Sequence, residues 1–210
     1  MKNEAEHIQS NRVKWDKWAD SLDDTGWRHD YLKDAQSKLI SLLDVKENIR
    51  FLDIGCGAGW AVGEVARLVD NQGLFYGVDL SSKMIGKAQS KFSDDDHFHF
   101  LEANAESIPL DDDSFDIIIC TNSFHHYPHP DKAVLEMYRL LNKGGKVYIL
   151  DPTADSWIAK AADKIIRLME PEHVRLYSTK EFQQLLENAG LTYTTSETIK
   201  ANSKVHIGKK

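Results

Sequence analysis

Phe51-Leu52-Asp53-Ile54-Gly55-Cys56-Gly57-Ala58-Gly59-Trp60 is the stretch on which the fold turns. It reads as a short buried strand running into a glycine turn. Beyond the turn, Ala61-Val62-Gly63-Glu64-Val65-Ala66-Arg67-Leu68 reads as a helix. Glycine has no Cβ, so three glycines at alternate positions let the chain reverse sharply and let a ligand lie against bare backbone. The helix start offers unpaired N–H groups to an anionic group. Strand, glycine turn and helix in this order imply a nucleotide-like cofactor without saying which one.

Outward from this stretch, strand and helix alternate. Strands are expected at 50–54, 74–80, 97–101, 115–120 and 146–150. Ser81 or Ser82 is placed to cap a helix running to about residue 92. Another helix follows Pro130, with Val134, Met137, Tyr138 and Leu141 as its buried stripe and Gly144-Gly145 as its end. Such alternation predicts an α/β fold, a parallel sheet with right-handed crossovers and helices on both faces. After Asp151-Pro152 the pattern changes. A helix over 154–169 carries Ile158, Ala161, Ile165 and Leu168 on one side. Ser178-Thr179-Lys180-Glu181 is a capping box that opens the last helix, which ends at Gly190. Segments 191–199 and 204–209 read as a terminal hairpin, so one sheet edge is expected to be antiparallel. Upstream, Leu32, Ala35, Leu39, Leu42 and Leu43 mark a docking helix. Residues 1–25, with Trp15 and Trp18, read either as a surface helix packed on the core or as a lid over the cofactor cleft.

Composition narrows the function. The chain has 210 residues and a net charge of -7, which opposes a broad basic face for nucleic acid. Two cysteines, Cys56 and Cys120, are too few for a disulfide framework and read as buried free thiols. The first residues lack the apolar core of a signal peptide, and no apolar run approaches the ~20 residues of a membrane span. A cytoplasmic protein with no membrane span is the expectation.

In an open parallel sheet the ligand sits beyond the C-terminal strand ends, where the strand order reverses. Strand one supplies Asp53 and the glycines there, and strand two supplies Asp79. An acid at that place accepts both hydroxyls of a ribose; it also suits the start of the next helix. A dinucleotide fingerprint, G-x-G-x-x-G/A, needs a small residue where this chain has Trp60. The spacing is instead G-x-G-x-G, with an acid two residues before the first glycine.

These features resemble the class I S-adenosylmethionine-dependent methyltransferases, and most of all the small-molecule group typified by the ubiquinone/menaquinone C-methyltransferases. The resemblance rests on Leu52-Asp53-Ile54-Gly55-Cys56-Gly57-Ala58-Gly59, on Asp79-Leu80-Ser81 with Met84, and on Ala105-Glu106-Ser107-Ile108-Pro109-Leu110. It continues through Asp113-Ser114-Phe115-Asp116, the His125-His126 pair and Leu140-Leu141-Asn142-Lys143-Gly144-Gly145. It implies a Rossmann-like doubly wound seven-stranded sheet, mostly parallel with an antiparallel last strand. It implies one domain over 1–210, divided into a helical lid (1–44), a cofactor-binding core (45–151) and substrate-side helices with the hairpin (152–210). It also implies S-adenosylmethionine as cofactor, S-adenosylhomocysteine as product and a small-molecule acceptor.

Carried over by resemblance, Gly55 and Gly57 pass beside the methionine part of the cofactor. Asp53 orients the loop and holds the amino group, directly or through water. Asp79 takes the ribose hydroxyls, Leu80 and Met84 flank the adenine, and Ala105 offers its N–H to the ring. Asn104 stands where the family often has aspartate. Asn122 faces the methionine end. Trp60 either walls the methyl channel or starts the helix. The sulfonium already makes the methyl electrophilic, so catalysis is mainly alignment. A base is needed only for an acceptor that loses a proton. His125 is the candidate, and His126 and His129 stand beside it. Three histidines on a proline-containing loop lack regular ligand spacing, and Asp131 is the one acid nearby, so no metal is expected. Trp15, Trp18, Tyr127, Trp157 and Tyr177 are available walls for an acceptor. A non-catalytic module that binds S-adenosylmethionine is the alternative from another class.

Overall fold

The computed structural model describes residues 4–20, 27–170, 172–200 and 202–210. Residues 1–3 and 21–26 of the expected N-terminal lid and Pro171 of the loop before the last helix lie outside the described residues. Seven strands form one sheet: β1 (Ile49–Ile54), β2 (Gly73–Asp79), β3 (Phe98–Glu102), β4 (Phe115–Thr121), β5 (Leu141–Pro152), β6 (Thr192–Lys200) and β7 (Ser203–Lys209). Their order is β3-β2-β1-β4-β5-β7-β6. β1 to β5 pair in parallel, and β7 is antiparallel to both β5 and β6. This is the expected doubly wound, mixed sheet.

Helices cover both faces because the central strands are apolar on both sides. β1 buries Phe51 on one face and Leu52 and Ile54 on the other, and β4 divides Ile117 and Ile119 from Ile118 and Cys120 in the same way. One face packs against α2 (Trp27–Ile40), α3 (Trp60–Arg67) and α4 (Ser82–Lys91), through Leu39, Val62, Val65 and Ala88. The other packs against α5 (Pro130–Leu140) and α7 (Thr179–Asn188), through Val134, Met137, Phe182 and Leu186. Ser81 caps α4 by accepting from the Met84 N–H, and the Ser178/Glu181 capping box of α7 forms as expected. Among the described residues, no helix is long and apolar enough to cross a membrane.

Two local expectations need correction. Gly144-Gly145 does not end α5. That helix stops at Leu140, and Leu141 already pairs with Phe115 as the start of β5. Both glycines instead face the C-terminal residue: Gly144 donates to the Lys210 carbonyl and Lys210 donates to that of Gly145. The helix near residue 154 begins at Trp157, and α6 (Trp157–Met169) turns its apolar stripe outward. Ile158, Ile165, Leu168 and Met169 are exposed, while Ala159 and Asp163 are the buried positions. Asp163 faces inward because it accepts from His173 and the Leu176 N–H, and a buried acid with donors outweighs the apolar pattern there.

β7 contributes one buried titratable group. His206 is fully buried and stacks on Phe182 with centroids 4.1 Å apart. Burial pushes its imidazole down to about 4. The unfolded ring titrates near 6.5, so the unfolded state binds more protons between those values. Stability from the neutral ring is therefore complete above about pH 6.5 and is lost as pH falls toward 4. Urea unfolding at pH 7 and pH 5 should show His206→Leu losing about 2 kcal/mol less than the native chain over that interval. Equal losses in the two proteins would contradict the assignment.

Candidate functional site

The C-terminal ends of β1, β2 and β4 meet where the strand order reverses, since β1 has β2 on one side and β4 on the other. The glycine turn after β1 is tied to the end of β2. The N–H groups of Gly55 and Cys56 both donate to the Val78 carbonyl, at 2.8 and 3.0 Å. Asp79 completes the tie. Its Oδ2 accepts from the Gly57 N–H and its Oδ1 from the Ser81 N–H, each at 2.9 Å. The two readings of Asp79 thus meet in one residue, because it starts α4 and sits against the glycine turn. Each carboxylate oxygen has two lone pairs, so both retain acceptor capacity. Burial raises the Asp79 carboxyl above its ordinary value, opposed by the N–H groups of Ser81, Gly57 and Leu80.

The two glycines do different work. Gly55 has φ +81°, and a Cβ there would stand 2.5 Å from Ser123 Oγ. Its bare backbone makes room for Ser123, whose hydroxyl pairs with Tyr127 Oη at 3.0 Å. Gly57 has φ +52°, and the nearest atom to a Cβ would be Met84 Sδ at 4.0 Å. Gly57 is the position whose open face a ligand can approach.

Two polar groups at this rim lack partners among the described residues. Asp53 is fully buried, and neither carboxylate oxygen accepts a hydrogen bond. Burial first, and the Asp79 charge second, push it up to about 8. Asp53 therefore makes no direct bond that orients the loop; that work falls to Asp79 and the Val78 carbonyl. Asn122 follows β4 in the left-handed region, φ 52°, with its side-chain Nδ2 buried and unpaired. An orphaned acid and an orphaned amide donor suit a ligand with an ammonium and a carboxylate. The methionine end of S-adenosylmethionine is such a group, so the residues present fit the cofactor.

Leu80 and Met84 follow β2, and Asn104 and Ala105 follow β3. Met84 is buried, Leu80 is half-buried, and Ala105 is buried after β3. Asn104 Oδ1 accepts from the Glu106 N–H at 3.1 Å and so shapes its own turn. Trp60 is the first residue of α3, half-buried against the core, with Lys33 Nζ 5.7 Å from its ring. Of the expected walls, Trp157 is 78% exposed and lines nothing. Tyr177 is core, packed on Phe124 and Phe182.

Beyond β4, a short 3-10 turn (Phe124–His126) carries the histidine pair. His125 Nδ1 lies 2.9 and 3.1 Å from the two oxygens of Asp151, a fully buried acid on β5. Asp151 sits at a strand end on the ligand side, a place that reading strand ends alone singles out. Helix α1 (Glu4–Asp20) crosses above this rim. Asp16 accepts from Ser81 Oγ, Lys83 pairs with Asp20, and Arg12 pairs with Glu102. Farther across, Asn11 donates to the His126 carbonyl, Trp15 stands edge-on to His126 at 5.0 Å, and Lys14 pairs with Glu170.

Comparison with known proteins gives relatives of this chain and of its fold. A methyltransferase-domain family matches residues 52–149. An uncharacterized methyltransferase, YcgJ of Bacillus subtilis, is 33% identical over 74% of this chain and 62% of its own. The crystal structure of YcgJ superposes with a TM-score of 0.67 at 30% identity, covering 78% of this chain and 70% of that one. The ubiquinone/menaquinone C-methyltransferase of Vibrio parahaemolyticus is 32% identical over 49% of this chain and 40% of its own. The chain thus spans less than two thirds of these two sequence relatives. A S-adenosylmethionine-dependent methyltransferase from Aquifex aeolicus has the same fold, with a TM-score of 0.72 at 21% identity over 92% of this chain and 97% of that one.

Gly57→Ala separates folding from ligand approach. Its left-handed φ costs about 1–2 kcal/mol with a Cβ, and no neighbour clashes. Calorimetry should show S-adenosylmethionine affinity falling at least tenfold further than that stability loss explains, with Asp79→Ala weakening binding by about 10–100-fold. Unchanged affinity in both would place the ligand elsewhere.

Proposed function

The chain belongs to the class I S-adenosylmethionine-dependent methyltransferases, and from that membership we propose that it transfers a methyl group from S-adenosylmethionine to a small-molecule acceptor by in-line displacement, leaving S-adenosylhomocysteine. The observation that carries this reading is the Gly57–Asp79 hydrogen bond beside the unpartnered Asp53. Bound there, the cofactor supplies a methyl already activated by its sulfonium. The chain supplies position. Asp79 offers acceptor lone pairs to the ribose diol. Asp53 and Asn122 offer an acceptor and a donor to the methionine end, past the bare face of Gly57. Gly55 supports that end indirectly, by admitting Ser123 beneath the turn. Leu80 and Met84 give the adenine apolar contact, with the Ala105 N–H and the spare Asn104 lone pair at its edge.

α1 serves as the lid in this reading. Its contacts with both α4 and the 3-10 turn span the rim and exclude water from the transfer. A helix across the mouth and a net charge of -7 favour a small acceptor over nucleic acid. His125 is the base for acceptors that lose a proton. A carboxylate only accepts, so Asp151 holds the Nδ1–H and leaves Nε2 as the lone pair.

A bound but idle cofactor is the second reading, and turnover decides between them. A panel of small acceptors incubated with S-adenosylmethionine and read by product mass should yield one product 14 mass units heavier, roughly one CH₂. Tight cofactor binding with no product across the panel contradicts methyl transfer. With a proton-bearing acceptor, in chelator and at saturating cofactor, His125→Ala should lower the rate by about 10²–10⁴-fold. An unaltered rate removes His125 as the base.

A further inference from the structure

The sequence brings His125 and His126 together, but a third histidine reaches them only through the fold. His173 follows α6, and its ring centroid lies 5.2 Å from that of His125 and 6.2 Å from that of His126. One ring nitrogen from each of the three lies within 4.8 Å of the others. We propose that His125, His126 and His173 form a site for a single divalent transition-metal ion, zinc in the first instance.

The surroundings of each ring support this. His125 Nδ1 faces the Asp151 carboxylate at 2.9 Å, His173 Nε2 faces the Asp163 carboxylate at 2.7 Å, and His126 Nδ1 faces the Glu172 carbonyl at 3.0 Å. All three partners are acceptors, so each ring is held as the tautomer that donates outward. The opposite nitrogens, His125 Nε2, His126 Nε2 and His173 Nδ1, keep their lone pairs. None of them takes a hydrogen bond among the described residues. An outward N–H on a carboxylate or carbonyl is the arrangement that orients histidine ligands and raises their basicity. Three neutral imidazoles suit zinc, with a fourth position left for water or an exchangeable ligand. Asp151 and Asp163 place two negative charges one hydrogen bond away, which offsets the charge of the ion. Zinc–nitrogen bonds of about 2.0–2.1 Å set tetrahedral ligands about 3.3 Å apart, and the three rings present ligand atoms within 4.8 Å of one another. Burial and the neighbouring rings hold His126 well below its ordinary value, and burial also lowers His173. His129, on the same loop as the pair, is not part of the cluster; the expectation that no metal is held came from that loop alone.

An ion here takes the His125 lone pair, so the base role described above belongs to the metal-free protein. Metal binding does not depend on methyl transfer, and the two are measured separately.

The test uses the full chain without an affinity tag, stripped by chelator. Titrated Co²⁺ should give visible tetrahedral bands that saturate at one ion per chain and are displaced by Zn²⁺. X-ray absorption of the zinc form should show three imidazoles on the ion. His173→Ala and His126→Ala should each lose at least 100-fold in Zn²⁺ affinity, while Asp163→Asn should lose about 10–100-fold. Melting in chelator within a few degrees of the stripped native chain shows that a variant is folded; if one is not, the absorption spectrum of the native protein decides. Absence of tetrahedral Co²⁺ bands, an absorption spectrum without imidazole scattering, or unchanged affinity in folded His173→Ala overturns the site.

Discussion

Two carboxylates at the ends of adjacent strands set the terms for the whole rim. Asp53 and Asp79 stand on β1 and β2, close enough that the charge of Asp79 raises Asp53. A buried carboxylate is costly unless donors surround it. Asp79 meets that demand with the backbone of Gly57 and Ser81, charge-assisted bonds of about 1.5–3 kcal/mol each. In doing so it fixes the glycine turn and the start of α4 at once. Asp53 has no such donors, and burial, with the Asp79 charge beside it, pushes its carboxyl up to about 8. The chain thus holds one acid in a fixed local network and leaves the other without a partner among the described residues, which supports the ligand role proposed for it.

The contacts of α1 follow from this arrangement. Ser81, already fixed by Asp79, presents its hydroxyl to Asp16, and Lys83 one residue into α4 reaches Asp20. The same helix touches the His126 carbonyl and Glu170 on the other side of the sheet reversal. Surface ion pairs of this kind contribute little each. Many weak bonds, rather than one strong one, hold this helix to the rim, which suits the lid role proposed for it.

Much of this was legible in the chain. Short-range signals carried the glycine turn, Asp79, the Ser178 capping box and the strand alternation, because each depends on residues within a few positions. The misreadings share a cause in distant contacts. Gly144-Gly145 carries a helix-stop pattern, yet Leu141 is claimed by Phe115 and the glycines by Lys210, across the sheet. The α6 stripe suggested a buried face, but Asp163 is drawn inward by His173 and Leu176. His173 carries no signal at all in sequence, since nothing near it marks its approach to the histidine pair.

The state of Asp53 gives the most direct test. If this acid is protonated in the free protein and ionises against the ammonium of the cofactor, binding must release a proton. Calorimetric titration with S-adenosylmethionine at pH 7, repeated in buffers of different ionisation heat, measures that number. About one proton should be released per cofactor bound by the native chain, and none by Asp53→Asn. Heats that do not change with buffer in the native protein would contradict the account.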